Sequence, residues 1–160
     1  MRRKDREITA QEDILAILDK CEVLRLALSA DDQPYIIPMN FAYQLIDDKV
    51  VIYLHCASSG TKLDILRRNN KVCFEVDCNY QVLTAPEACE WSATYESVIG
   101  FGQIGILQDE DESQKAHALD VLMAHHGFPG TPHYDPKDLA RVTLLRIEVS
   151  SLTGKRRARP

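Results

Sequence analysis

His55 and Cys56 can both do chemistry, and they stand just ahead of a lysine, Lys62, in a tract that is otherwise almost free of bulk: Ala57, Ser58, Ser59, Gly60, Thr61. Such a tract lets an anion approach the backbone closely. If a helix opens on Gly60-Thr61-Lys62, its first N–H groups have no intrahelical acceptor and carry the positive end of the dipole. Lys62 adds a full charge, and the combination is a phosphate seat. A plainer role fits the same residues. Thr61 and Asp64 have capping-box spacing, and a capped terminus still keeps free N–H groups. His55 reads either as a structural residue or as a hydrogen-bond donor or acid near neutral pH. Cys56 reads as a small buried thiol.

The elements that must hold these residues follow from hydrophobic period. Residues 49–55 form an apolar run ending in His55, a buried strand, and the helix follows at 61. Upstream, Ile14, Leu15, Ile17 and Leu18 give a helical stripe, with Thr9 and Glu12 at capping-box spacing. From 23 the period becomes two, with Leu24, Leu26 and Leu28 on one face, and residues 30–34 read as the turn. Residues 35–45 form the next strand, with Tyr35, Ile37, Met39, Phe41 and Tyr43 on one face. Pro38 cannot donate to a ladder, so this strand is bulged or lies on an edge there. Asp47-Asp48 reads as another turn.

Residues 72–77 form a short fourth strand, and 79–91 read as a loop or a partly extended excursion. Residues 95–107 form a fifth strand whose Gly100, Gly102 and Gly105 suit coiling or close approach by another backbone. Residues 110–126 read as a helix with Ala116, Leu119, Leu122 and Met123 on one face and Asp111, Glu112 and Lys115 outside. A further turn of helix is expected over 135–139 and a sixth strand over 142–152, followed by Thr153-Gly154-Lys155. Six strands joined mostly by short turns make a mainly β protein, an antiparallel β-barrel with peripheral helices, in a single domain over 1–160.

A net charge of −5 argues against a general nucleic-acid binder, which needs a surplus of Lys and Arg. Residues 1–7 and 155–160 are basic and read as solvated tails, Lys155 excepted. Five cysteines without a CxxC pair, after a charged start, lead us to expect free thiols in a cytoplasmic protein. No apolar run reaches the ~20 residues of a membrane span. His117, His125, His126 and His133 lack an HExxH pattern or cysteine partners, so no metal site is expected. Tyr95 and Glu96 read as strand face rather than as an acid and base. Neither GxGxxG after a strand nor GxxxxGK[ST] occurs, which speaks against a Rossmann site or a P-loop.

The ordered set of segments at 36–40 (IIPMN), 53–57 (YLHCA), 60–64 (GTKLD), 72–76 (VCFEV), 95–100 (YESVIG) and 152–155 (LTGK) resembles the pyridoxamine 5′-phosphate oxidase-like flavoproteins, and most closely their nitroimidazole-resistance (Nim-type) branch. The resemblance spans residues 6–155. It implies a six-stranded split β-barrel that forms a homodimer, with FMN in a groove at each end of the interface. By position it would set Pro38, Met39 and Asn40 at the flavin ring, and His55 and Cys56 beside the ring or ribityl chain. Thr61 and Lys62 would meet the phosphate, Ser97 and Val98 would come from the partner subunit, and Lys155 would approach from nearby. The implied activity is flavin-dependent oxidation–reduction of a small acceptor such as a nitro compound, with His55 the candidate catalytic residue. Alternatives are a non-enzymatic flavin carrier or sensor, and a haem-binding split barrel. The chain lacks the oxidase's basic, tryptophan-containing C-terminal segment; its single tryptophan is Trp91. Pyridoxamine phosphate oxidation is therefore not expected.

Overall fold

A computed structural model describes residues 3–107 and 112–158. Seven strands are present: β1 (Glu7–Ile8), β2 (Val23–Ala30), β3 (Gln33–Ile46), β4 (Lys49–Ala57), β5 (Lys71–Leu83), β6 (Ser92–Ile106) and β7 (Val142–Arg157). The helices are α1 (Gln11–Leu18), α2 (Thr61–Arg68), α3 (Glu112–His125) and α4 (Pro136–Leu139). All pairings are antiparallel, in the order β1-β7-β4-β3-β2-β5-β6, and a β6–β7 pairing closes the ring. Six strands thus make the expected barrel, and the two-residue β1 is added on the flank of β7.

Two hairpins set the register. Asp31-Asp32 joins β2 to β3, and Asp47-Asp48 joins β3 to β4, each residue with φ between 49° and 61°. Positive φ at both central residues is the turn geometry that matches strand twist, and aspartate tolerates it better than most side chains. The barrel interior is filled by Leu24, Leu26, Phe41, Ile52, Leu54, Phe74, Val76 and Ile147, with α1 contributing Ile17 and Leu18 and α2 contributing Leu63 and Leu66. A second cluster lies outside the barrel, where Ala118 and Leu122 of α3 cover Ala42, Val51, Tyr53 and Leu144.

The structure departs from the sequence reading at several places. The stretch 79–91 proves partly extended, one of its two readings, rather than a plain loop. β5 bulges between Cys78 and Gln81, with Asn79 at φ 56°, and then pairs on through Leu83 with Ser92–Thr94. The bulge breaks the two-residue period that would have shown the strand. β7 likewise runs on to Arg157, so the C-terminal basic residues 155–157 are strand rather than tail. Neither proposed capping box forms: Ala10 and Gly60 occupy the N-cap positions of α1 and α2 without a side-chain cap, and Asp64 instead accepts from Arg67 at 2.9 Å.

Lys115, expected outside, is 1% exposed, and its Nζ donates to the Leu139 carbonyl at 2.6 Å. Its hydrogen bond ties α3 to the end of α4. Residues 110 and 111 of the expected helix lie outside the described residues. Two of the three glycines of β6 mark close approach, while nothing lies within 4 Å of a Cβ on Gly105. A Cβ on Gly100 would overlap the Phe74 ring, and one on Gly102 would overlap the Glu148 carbonyl.

Candidate functional site

β3 changes neighbours midway. Residues 33–40 pair with β2 alone, whereas 41–46 pair with β4. Beyond that point β4 continues through His55, Cys56 and Ala57, held only by Leu144, Thr143 and Val142 of β7. The sheet therefore splits, with Pro38–Asn40 on one lip and residues 55–57 on the other. Pro38 sits in register opposite Arg25 without a bulge. Its missing donor is tolerated because this half of β3 has an open flank, the edge position that proline accepts.

Strand alternation sorts the candidates into two groups. Pro38, Asn40 and His55 are exposed on the outer face, across the split from one another. Met39 and Cys56 point inward, Met39 into the core and Cys56 half-buried against it. Burial raises the Cys56 thiol above its ordinary pKa, and the nearby Lys62 ammonium pulls the other way. Lys62 thus projects its charge back toward the end of β4.

The turn after β4 leads into α2 through Gly60, at φ 136°. That backbone region is essentially reserved for glycine. Nothing lies within 4 Å of where its Cβ would stand. The Gly60 carbonyl accepts from the N–H groups of Leu63 at 2.9 Å and Asp64 at 3.3 Å. The N–H groups of Thr61 and Lys62 donate to no acceptor among the described residues. Two free donors and a half-buried lysine thus stand together at a helix start, a geometry that anions favour. The opposite end of α2 is anchored where Asn69 Nδ2 donates to the Ser29 carbonyl at 3.0 Å.

Ser97 and Lys155 are direct neighbours across the β6–β7 ladder, and both are partly exposed. They belong to the same outer surface as Pro38, reached through the cross-strand series Pro38, Arg25, Glu75, Ile99. That separates them from the split by roughly 14 Å within one chain, at about 4.8 Å per strand. Val98 is fully buried in the core beside Val76, so only its backbone faces the surface. One chain brings Pro38, Asn40, His55, Thr61 and Lys62 around the split, and leaves Ser97 and Lys155 apart.

Between these groups runs an apolar row across four strands: Ile36, Ala27, Cys73 and Phe101. Ile36 is 64% exposed, Phe101 52% and the flanking Ile99 43%. Arg25 spans the row's edge, bonding Glu75 at 2.9 Å and Asp77 at 2.5 Å.

Glu96, read from the sequence as plain strand face, is instead buried among charged partners. It is 7% exposed and accepts from Lys20 Nζ at 2.8 Å, Asn79 Nδ2 at 2.5 Å and Arg156 Nε at 2.5 Å. Arg156 also reaches Asp13 at 3.3 Å. Burial alone would raise the Glu96 carboxyl, but the bonds from Lys20, Arg156 and Asn79 outweigh it and hold its pKa down at about 2. Among the histidines, His125 bonds the Cys21 carbonyl at 2.8 Å and packs on Phe41, and His117 bonds Gln44 at 3.0 Å. The five cysteines are free thiols.

A closed antiparallel ring that splits between the first half of β3 and the end of β4 defines the class: this is a split β-barrel. Residues 10–156 match the pyridoxamine 5′-phosphate oxidase family, and the chain belongs to it. Among solved structures, it is similar to a protein of Bacteroides thetaiotaomicron put forward as a 5-nitroimidazole antibiotic resistance protein. The identity is 27% and the TM-score 0.80, over 93% of this chain and 85% of that one. An FAD- and haem-binding protein of Mycobacterium smegmatis shares 21% identity at a TM-score of 0.80, over 94% and 73%. An FAD-binding protein of Mesorhizobium loti shares 24% at 0.67, over 94% and 96%. No curated protein matches the sequence. Among the described residues, no helix is long and apolar enough to cross a membrane.

Proposed function

We propose that this chain is a cytoplasmic FMN-binding protein acting as a homodimeric, flavin-dependent oxidoreductase on a small acceptor such as a nitro compound. The observation that carries the reading is the start of α2, where the N–H groups of Thr61 and Lys62 find no acceptor among the described residues and follow a glycine with nothing within 4 Å of its Cβ position. One helix terminus with one lysine suits a single phosphate. FMN would supply the electron chemistry, while the protein holds it and shapes access. Pro38 and Asn40 would border the ring from the outer lip and His55 from the other, with Met39 and Cys56 supporting them from inside. His55, exposed across the split, is the residue able to donate to a flavin or acceptor oxygen.

The row Ile36, Ala27, Cys73, Phe101 is the surface a second copy would cover, since exposed apolar patches of this kind mark interaction sites. A two-fold pairing there would carry the partner's outer face, with its own serine and lysine at positions 97 and 155, toward the split. The Bacteroides relative supports the nitro-compound reading. The Mycobacterium relative supports haem as a second ligand to be tested.

Absorbance of the purified protein tests the reading. A two-band flavin spectrum, release of FMN rather than FAD, and bleaching by NAD(P)H without oxygen are the expected results. A Soret band would favour haem, and flavin without reduction by either nucleotide would favour a carrier. Lys62→Ala is expected to lower FMN occupancy about tenfold, the effect of losing one charge-assisted contact, with little change in Tm. Equal occupancy in variant and parent would refute the phosphate seat.

A further inference from the structure

The ends of β5, β6 and β7 enclose a second feature, separate from the split. A cleft of about 620 Å³ is lined chiefly by Asn79, Tyr80, Thr94, Tyr95, Arg156 and Arg157. That volume is within the range of small-molecule sites. It arises because the bulge between Cys78 and Gln81 turns the end of β5 aside and leaves Tyr80 exposed, while β6 and β7 stay in register as far as Tyr95 and Arg157.

Charge in and around the cleft is not balanced: Glu96, Arg156 and Arg157 line it, while Lys20, Lys155 and Arg6 lie against its lining residues. Lys20 and Arg156 are neutralised by Glu96 and Asp13. Among the described residues, Arg157 bonds only the Ser92 hydroxyl, and Lys155 places its Nζ 5.4 Å from the centre of the Tyr95 ring. Neither Arg157 nor Lys155 is within ion-pair distance of a carboxylate among the described residues. Arg6 reaches the Tyr95 hydroxyl at 3.4 Å. An aromatic ring is therefore ringed by cations, two of them without a counter-ion. Guanidinium matches carboxylate in geometry, and an aromatic face favours a planar partner.

We propose that this cleft binds a small planar aromatic carboxylate, its ring against Tyr95 and its carboxylate on Arg157 with Lys155 beside it. Ser97 lies two residues from Tyr95 on the same strand face. On the flavin reading above, on which this role rests, the cleft is where the acidic group of the electron acceptor is held.

The test uses the full-length protein with two probes of nearly equal shape, 4-nitrobenzoate and the neutral 4-nitrobenzamide, titrated by calorimetry. The parent is expected to prefer the acid by about tenfold, the discrimination of one charge-assisted contact. Arg157→Gln should bring the two probes within about threefold, while Arg157→Lys, which keeps the charge, should retain the preference. Tyr95→Ala should weaken both probes alike. A parent that does not prefer the acid, or a preference untouched in Arg157→Gln, overturns the proposal. If Arg157→Gln does not fold, the parent's own preference decides. Flavin absorbance read on the same samples separates the two claims. Flavin present without acid preference refutes the cleft alone, whereas acid preference without flavin supports the cleft as a binding site and removes its role in electron transfer.

Discussion

Glu96→Gln would test whether the carboxylate at the end of β6 holds α1, β5 and β7 together. The substitution keeps the side chain's shape and removes its charge. Glu96 has a folded-state pKa of about 2 against an ordinary value of 4.5; its own side chain is only 9% exposed, but Lys20 at 45% and Arg156 at 35% are open to solvent screening, so the full shift sets an upper value. At about 1.4 kcal/mol per unit, the depressed pKa corresponds to at most about 3 kcal/mol of stability. The sign follows from the direction of the shift. A depressed carboxylate contributes fully above its unfolded-state pKa and loses that contribution as pH falls through its folded-state value. The contribution is therefore whole at pH 7, less than half remains at pH 3, and it vanishes near pH 2. Urea unfolding of parent and variant at fixed protein concentration, from pH 7 to pH 3, measures it. The difference should be at most about 3 kcal/mol at neutral pH and should shrink below pH 4.5. Carboxylates common to both proteins cancel in the comparison. A difference under about 1 kcal/mol at pH 7, or one that stays constant to pH 3, would refute the assignment of Glu96 as the hub.

Gly100→Ala should cost about 1–3 kcal/mol, because its methyl meets the Phe74 ring, and Gly100→Ala with Phe74→Leu should recover part of the loss in thermal unfolding. Gly60→Ala has open space around it, so its cost is in the backbone. About 1–3 kcal/mol is expected, with FMN occupancy falling as the start of α2 shifts. Ile36→Glu places a charge in the exposed apolar row, and sedimentation at micromolar concentration should show monomer where the parent is dimeric. A dimer unchanged by Ile36→Glu would move the interface elsewhere.

Much of the barrel is readable locally. Leu24, Leu26 and Leu28 alternate cleanly because one face of β2 is buried, and the paired aspartates announce turns because few other residues take positive φ. Where structure depends on distant residues, local reading falters. Glu96 looks like an ordinary strand residue until Lys20 and Arg156 arrive from 76 and 60 positions away. Lys115 is polar and so was assigned to water, but the chain after α3 folds back and presents the Leu139 carbonyl to it. The bulge at Asn79 erased the period that would have carried β5 onward. For the candidate site, Gly60 and Lys62 were readable from residue type alone. The opposite facing of His55 and Cys56 follows from strand period. The distance between the split and Ser97 needed the strand order.

The shared strand β3 has an effect on how this protein can change over time. Its first half borders the split and its second half seals the barrel, so both depend on one alignment. A single inserted or deleted residue where the two halves meet would leave one of them flipped, turning Pro38 and Asn40 inward with Met39 outward, or pushing Phe41 into solvent. Either slip breaches the core, and the first takes the site with it. Variation that survives must come as substitution on the exposed lip, or as added length at the two aspartate turns. New specificities in this lineage would therefore be found by exchanging side chains at 36, 38 and 40, while the spacing of the strand stays frozen.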